Sequence, residues 1–187
     1  MSKITLTGEP FSWTLNKSVL TISGEGEIPE LFIWKFRQNA ITAVIIEDGI
    51  TKIGNGAFSC SDVASVTIPN SVTTMEPCAF GSTKLVSVTI PNSVTKLERL
   101  LFSCCRKLTS ITISDSVTTI ENRVFEECIK LKNIVLQCEN PPEVEGDDVF
   151  YNVPKTCTLH VPVGSKNNYA QAKGWKEFKN IIEDAIT

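Results

Sequence analysis

Histidine is nearly missing from this chain of 187 residues, with His160 as the sole representative. A histidine-based metal cluster is thereby excluded, and any Cys-His pair or Ser-His-Asp triad would have to be built on that one imidazole. No run approaches the ~20 consecutive apolar residues of a membrane helix. The opening segment, Met1 to Pro10, holds no continuous apolar stretch of the kind that begins an export signal. Basic residues are not in excess: Lys+Arg 18 against Asp+Glu 21 gives a net charge of −3. Neither nucleic acid nor an anionic membrane is therefore indicated as a partner. No two cysteines stand as C-x-x-C, which removes the spacing that zinc ribbons and thioredoxin-type redox centres need.

What is present is an ordinary globular balance, 42% hydrophobic and 21% charged, over a length that buries roughly two-thirds of the unfolded surface. The seven cysteines are odd in number, in a chain long enough to fold without disulfide staples.

An internal period organises the sequence. Aligned segments start at residues 41, 63, 85, 108 and 131, so the period is 22, 22, 23 and 23 residues. Each copy reads L-x-x-V-x-I, then P/S-N/D-S-V-T-x-I, then A/V-F followed by a cysteine or a small residue. The alternation places Val88 and Ile90, or Ile111 and Ile113, on one face of a short strand. Pro-Asn-Ser turns the chain, and Val94 to Leu97 forms a second extended piece on another side. The Ala-Phe corner closes the coil. About six apolar side chains at ~1.5–3 kcal/mol each do not offset the ordering of about 22 backbones at ~1–2 kcal/mol each. The coils must therefore stack and share one core.

The pattern resembles the BspA-type leucine-rich repeat. Trp13-Thr-Leu, Leu20 to Pro29, Trp34 and Val44 to Ile50 are similar to the N-terminal cap of that family. Asn140-Pro-Pro, Val149-Phe150, Cys157 to Ser165, Tyr169 and Gly174 to Phe178 are similar to its closing unit. The fold so implied is β-rich α/β: a single right-handed leucine-rich repeat solenoid of short parallel strands with an N-terminal β cap and a C-terminal helix-containing cap. Its limits are a cap over 1–40, about five repeats over 41–156 and a cap over 157–187. Gly24-Glu-Gly26 suits a hairpin turn, with Phe11, Trp13, Phe32, Trp34 and Phe36 covering the open end. Ser165 is placed to cap a helix over Lys166 to Lys173 that Gly174 stops.

Outward strand positions form rows: Ser65, Ser87 and Ser110 in one, Thr67, Thr89 and Thr112 in the next, with Ile45 and Val135 at the ends. Together with His160, these six residues are the candidate binding positions of a concave face. Thr and Ser are also simply favourable on an exposed sheet, and the face lacks aromatic and Arg anchors. Cys60, Cys105 and Cys128 each lie three residues before the next copy, with Ser82 in register, and read as an inward packing column of free thiols. His160 reads as an outward, solvated histidine. Glu143, Glu145, Asp147 and Asp148 make an acidic loop without EF-hand spacing, and Asn16-Lys-Ser18 fits a glycosylation sequon.

No catalytic residue, metal or cofactor is indicated. The expected function is non-enzymatic protein recognition or adhesion. The family resemblance implies a host or matrix protein as partner and an extracellular or cell-surface location, though nothing in the chain as written excludes the cytoplasm. An enzyme or enzyme regulator using the 143–148 loop or His160 is the alternative of another class, and a structural spacer is the third.

Overall fold

The computed structural model describes residues 2–4, 11–33 and 41–185. It opens with an antiparallel unit of β1 (Ser2–Ile4), β2 (Phe11–Asn16) and β3 (Val19–Gly24), and every pairing after β3 is parallel. β5 (Ala43–Ile46) and β7 (Ser65–Thr67) extend the first unit into a five-stranded sheet ordered β1-β2-β3-β5-β7. A second five-stranded sheet joins β9 (Ser87–Thr89), β11 (Ser110–Ile113), β13 (Asn133–Leu136), β15 (Thr158–Pro162) and β16 (Asn180–Asp184). On another side of the coils run two three-stranded ladders. One is β4 (Gly26–Ile28), β6 (Ile50–Ile53) and β8 (Thr74–Met75); the other is β10 (Lys96–Leu97), β12 (Thr119–Ile120) and β14 (Glu143–Val144). The whole is a parallel β-solenoid of about seven turns.

Each coil forms for the reasons its sequence contains. The aliphatic positions of the strands point inward and are sealed, as at Ile111, Ile113, Ile134, Leu136, Leu159 and Val161. Serine then turns the chain: Ser71 Oγ donates to the Ile50 carbonyl and Ser93 Oγ to that of Val72, each one coil back. At the phenylalanine corner two left-handed residues bracket the ring. One column is Gly56, Cys78, Leu100 and Arg123; the other is Cys60, Ser82, Cys104, Glu127 and Asn152.

The rings of Phe58, Phe80, Phe102, Phe125 and Phe150 form a stack, with centroid spacings of 5.4, 5.8, 6.1 and 5.7 Å and planes within 12° of parallel. Phe32 and Phe11 end this column edge-on at one side, and Trp175 and Phe178 end it at the other. The apolar surface is thus one continuous cluster from Phe11 to Phe178, as nearest-neighbour stacking requires.

Three local expectations are corrected. The hairpin turns at Lys17 (φ 54) and Ser18 and not at Gly24-Glu-Gly26. Those glycines carry the chain from the large sheet to the small one, where a Cβ on Gly49 in the next coil would lie 2.2 Å from the Gly24 carbonyl oxygen. The helix, α1 (Lys166–Gln171), stops two residues early, with Trp175–Glu177 as a separate 3-10 turn. Ser165 occupies the cap position, but its hydroxyl does not cap. Glu183 from β16 accepts the Gly164 and Lys166 N–H groups, each at 3.0 Å. Trp34 and Phe36 lie outside the described residues.

The third correction concerns the cysteines. Counting from the phenylalanine rather than from the next copy puts Cys60 with Ser82 and Cys104 in a left-handed surface column. Cys60 is exposed, not inward. The inward column is the partly covered Ser61 and the buried Thr83, Cys105 and Cys128, displaced by the extra residue that the 23-residue copies carry. Its chemistry is hydrogen bonding. Ser61 Oγ donates to the Phe58 carbonyl at 2.6 Å, Cys105 Sγ to Phe80 at 3.2 Å and Cys128 Sγ to Phe102 at 3.3 Å. Thr83 Oγ1 lies 3.2 Å from Cys105 Sγ. A hydroxyl or thiol recurs there because it can hand a hydrogen bond to a corner carbonyl inside the core.

Candidate functional site

Strand pairing defines the rows on the outward face of the large sheets. Ala43 pairs with Ser65, Ser87 with Ser110, Asn133 and Thr158 follow, and Asn180 ends that row. Beside it run Ile45 and Thr67, then Thr89, Thr112, Val135, His160 and Ile182. The candidate residues Ser65, Thr67, Ser87 and Thr89 are exposed, whereas Ser110, Thr112 and His160 are partly covered. Aliphatic side chains flank the hydroxyls, with Ile45 39% and Ile182 47% exposed.

Between β7 and β9 the ladder lapses, and between β8 and β10 it lapses at the same coil junction. Val86 N–H still reaches the Ala64 carbonyl at the strand entry, and Ser93 Oγ still reaches Val72 in the turn. The phenylalanine corner stays closed, with Phe80 N–H to Leu101 O at 3.1 Å and Ser82 N–H to Ser103 O at 2.7 Å. One donor is missing at this junction. Just after β13, Gln137 N–H donates to Ile113 O one coil back. The residue at that position after β9 is Pro91, which has no N–H to offer Ile68 O; Pro69 after β7 likewise has none to offer, yet β5 and β7 pair, so the proline alone does not open the junction. Val66 and Ile68, inward residues whose counterparts in the other coils are buried, are only partly covered here.

His160 is not the free surface histidine that strand alternation suggested. Its Nδ1 lies 2.5 Å from Asp184 Oδ2 on β16 and its Nε2 3.1 Å from Asn133 Oδ1 on β13, with the side chain 25% exposed. The imidazole therefore straps three strands together. It faces Val135 and Ile182 across the sheet, and neither is a nucleophile. Sequence reasoning missed both partners because they lie 24 and 27 residues away in sequence.

The acidic loop is dispersed. Glu143 belongs to β14, Asp147 pairs with Lys173 at 3.3 Å, and Asp148 pairs with Arg123 at 3.5 Å. A cleft of about 450 Å³ lies between this loop, Tyr151 and the Lys173 to Glu177 segment. Among the described residues no group of three or more His, Cys, Asp or Glu is placed to hold a metal ion.

The small ladders carry a charged ridge that the sequence had not singled out. Glu76 accepts the Asn55 N–H at 2.9 Å and meets Lys52 at 2.9 Å; Glu121 accepts the Arg99 N–H at 2.8 Å and meets Lys96 at 2.5 Å. For Glu98, between them, the matching position one coil back is Pro77, which has no N–H. Partial burial, then the neighbouring Glu121 carboxylate, push the Glu98 carboxyl up. The Lys52 contact leads in holding Glu76 below its usual range. Burial opposes ionisation of Glu121, yet Lys96 and the Arg99 N–H outweigh it and leave that carboxyl low.

Cys105, Cys128, Cys138 and Cys157 are buried, and desolvation raises all four thiols, Cys138 to about 11 and Cys157 to about 12. Such thiols are poor nucleophiles at neutral pH.

Stacked parallel coils, one shared core and an outward face of small polar side chains define a solenoid repeat protein. The pattern of the BspA type leucine rich repeat region matches residues 35–156 in six copies, and the chain belongs to that family. Among solved structures, a leucine-rich repeat protein from Eubacterium ventriosum is similar over 100% of this chain and 62% of its own, with 22% identity and a TM-score of 0.62. The pneumococcal vaccine antigen PcpA is similar over 88% of this chain and 51% of its own, with 16% identity and a TM-score of 0.61. The chain thus spans roughly half to three-fifths of the length of these two proteins, and the likeness shows the fold. No curated protein matches the sequence.

Proposed function

We infer that the protein is a non-enzymatic recognition or adhesion module that binds a protein partner through the outward face of its large sheets. The observation that carries this reading is the outward Ser and Thr positions, aligned in register at Ser87 with Ser110 and Thr89 with Thr112 in one sheet, with Ser65 and Thr67 at the matching repeat positions on the edge strand of the other. Across the paired β9 and β11 they present hydroxyls at the strand spacing of ~4.8 Å, with no charge to desolvate. Ile45 and Ile182 add exposed aliphatic surface to the Thr row. Membership of the family and the likeness to a vaccine antigen support a host or matrix protein as partner and a location at the cell surface. Without aromatic or Arg anchors, affinity rests on many weak contacts or on several copies displayed together.

The same reading takes the coils as right-handed, with about five repeats over 41–156 between caps at 1–40 and 157–187. The rings of Phe11 and Phe32 at one end and of Tyr169, Trp175 and Phe178 at the other support the caps. Cross-linking and pull-down against matrix and host-surface proteins test the function. The variant Thr67→Arg, Thr89→Glu, Thr112→Arg should abolish capture while retaining the wild-type circular dichroism spectrum. Undiminished capture by the folded variant places the contact elsewhere, and a screen without any partner leaves a structural spacer as the reading.

A further inference from the structure

The lapse between β7 and β9 divides a sheet in its middle rather than at its end. The alternation of the ladder fixes which groups it leaves free. Ile90 N–H points to the next coil, where it meets Thr112 O, and Gln137 N–H points to the previous one, where it meets Ile113 O. By the same parity the Val66 and Ile68 N–H groups of one strand, and those of Ser87 and Thr89 on the other, are directed at the gap. The Ile68 and Ser87 N–H groups make no backbone hydrogen bond across it, and the two strands form no ladder. Buried or half-buried backbone groups normally find partners, so unpaired donors beside partly covered aliphatic side chains make an incomplete surface.

We propose that this seam is a docking groove for an extended, uncharged segment of a partner protein, deepening the recognition reading above, on which it rests. The groove measures about 490 Å³ and is lined by Val66, Thr67, Ile68, Thr89, Pro91 and Asn92 among others, with no charged residue. An ionic side chain would be desolvated there without a counter-charge, which selects a neutral occupant. The free donors match the carbonyl groups of a polypeptide backbone or of an amide side chain. Val66 and Ile68 offer a branched aliphatic floor that a valine, isoleucine or leucine side chain would cover. The lining contains no aromatic ring for a sugar to stack on, which favours peptide over glycan. Behind the groove the stacked Phe80 and Phe102 rings, 5.8 Å apart, hold the coils together while the strands in front stay unpaired.

Two measurements on the full chain test the proposal. Hydrogen exchange should show the amides of Val66, Ile68, Ser87 and Thr89 exchanging on the order of 100-fold faster than those inside β11 and β13. Equal protection overturns the open seam. Amide shifts are then followed by NMR with three probes: capped Thr-Val-Thr, capped Lys-Val-Lys and maltotetraose. Saturable shifts confined to residues 65–68 and 87–90, at least tenfold stronger for the neutral tripeptide, support the groove. Preference for the charged peptide or for the sugar, or shifts scattered over the surface, overturn it.

Pro91→Ser restores the donor and mimics Ser114 of the next coil, which is fully buried and whose Oγ reaches Pro91 O. It should slow exchange at the seam and weaken the tripeptide at least tenfold. Should this variant fail to fold, exposed Asn70→Asp serves instead, adding a charge to the rim and weakening the same probe. Tripeptide binding unchanged by a folded variant overturns the proposal. If a captured protein partner is lost on the threonine substitutions but not on Pro91→Ser, recognition stands and the seam fails. If the tripeptide binds and no protein partner is captured, the seam stands and the wider reading fails.

Discussion

Replacing Phe102 by alanine should remove about 4–5 kcal/mol of folding stability. The ring is fully buried and lies parallel to two neighbours, Phe80 at 5.8 Å and Phe125 at 6.1 Å. Deleting it withdraws roughly 120 Å² of apolar burial, about 3 kcal/mol at ~25 cal/mol per Å². Two ring contacts at ~0.5–1.5 kcal/mol each add to this, and the total meets the upper part of the ~3–5 kcal/mol range for buried phenylalanines. Because the stack conducts cooperativity from coil to coil, the loss should lower one common unfolding transition rather than split off a terminal piece. Urea unfolding followed by far-UV circular dichroism and by tryptophan fluorescence measures both features. Tyr151→Ala, at a position 52% exposed, is the control and should stay within about 0.5 kcal/mol. Phe102→Leu gives a milder variant if the alanine chain does not fold. A loss under 1 kcal/mol for Phe102→Ala, or one equal to that of the Tyr151 control, would refute the ring column as the spine of the core.

Further outcomes follow from single contacts. Native-state alkylation at pH 8 should label Cys60, Cys78 and Cys104 and spare Cys105, Cys128, Cys138 and Cys157 until denaturant is added; mass spectrometry of the labelled peptides checks this. Cys105→Ser should keep a donor for the Phe80 carbonyl, whereas Cys105→Val should cost about 1–3 kcal/mol more in urea unfolding through the unsatisfied carbonyl. The raised carboxyl of Glu98 and the lowered ones of Glu76 and Glu121 predict opposite pH effects. The stabilisation from Glu76 and Glu121 is present at neutral pH and lost as pH falls through their folded-state pKa values; the destabilisation from Glu98 is relieved on acidification. Glu98→Gln should therefore raise the melting temperature at pH 7 and lose that advantage below about pH 4, and Pro77→Ala should bring the Glu98 titration down by NMR. His160→Ala should speed amide exchange in β16 selectively, since the imidazole is the side-chain strap between β13 and that strand; uniform exchange would show the strap to be dispensable.

Much of this architecture was legible because a repeat states its geometry several times. The starts at 41, 63, 85, 108 and 131, the inward aliphatics, the serine turn and the phenylalanine column each recur in register, so an error at one copy is corrected by the others. Reading failed where the repeat changes phase or where partners are distant. Cys60 was misplaced because the copies differ by one residue beyond the phenylalanine, and only the corner geometry shows which side the insertion falls on. Glycine, the usual residue of positive φ, suggests the hairpin at Gly24-Glu-Gly26, yet Lys17 and nine other non-glycine residues among those described adopt it here.

By itself the sequence determined a stack of coils with one shared core and a neutral hydroxyl-bearing face, since periodic burial admits no other packing of 22-residue units. Tertiary structure alone decided which copies zip together. Ser65 to Thr73 and Ser87 to Thr95 are identical in sequence, Ser-Val-Thr-Ile-Pro-Asn-Ser-Val-Thr, yet the first pairs with the coil before it while the junction between the two stays open. A hydrogen bond between coils depends on both partners and on the residues that follow them, and the same is true of His160, whose role was set by Asn133 and Asp184 on strands that only folding brings beside it.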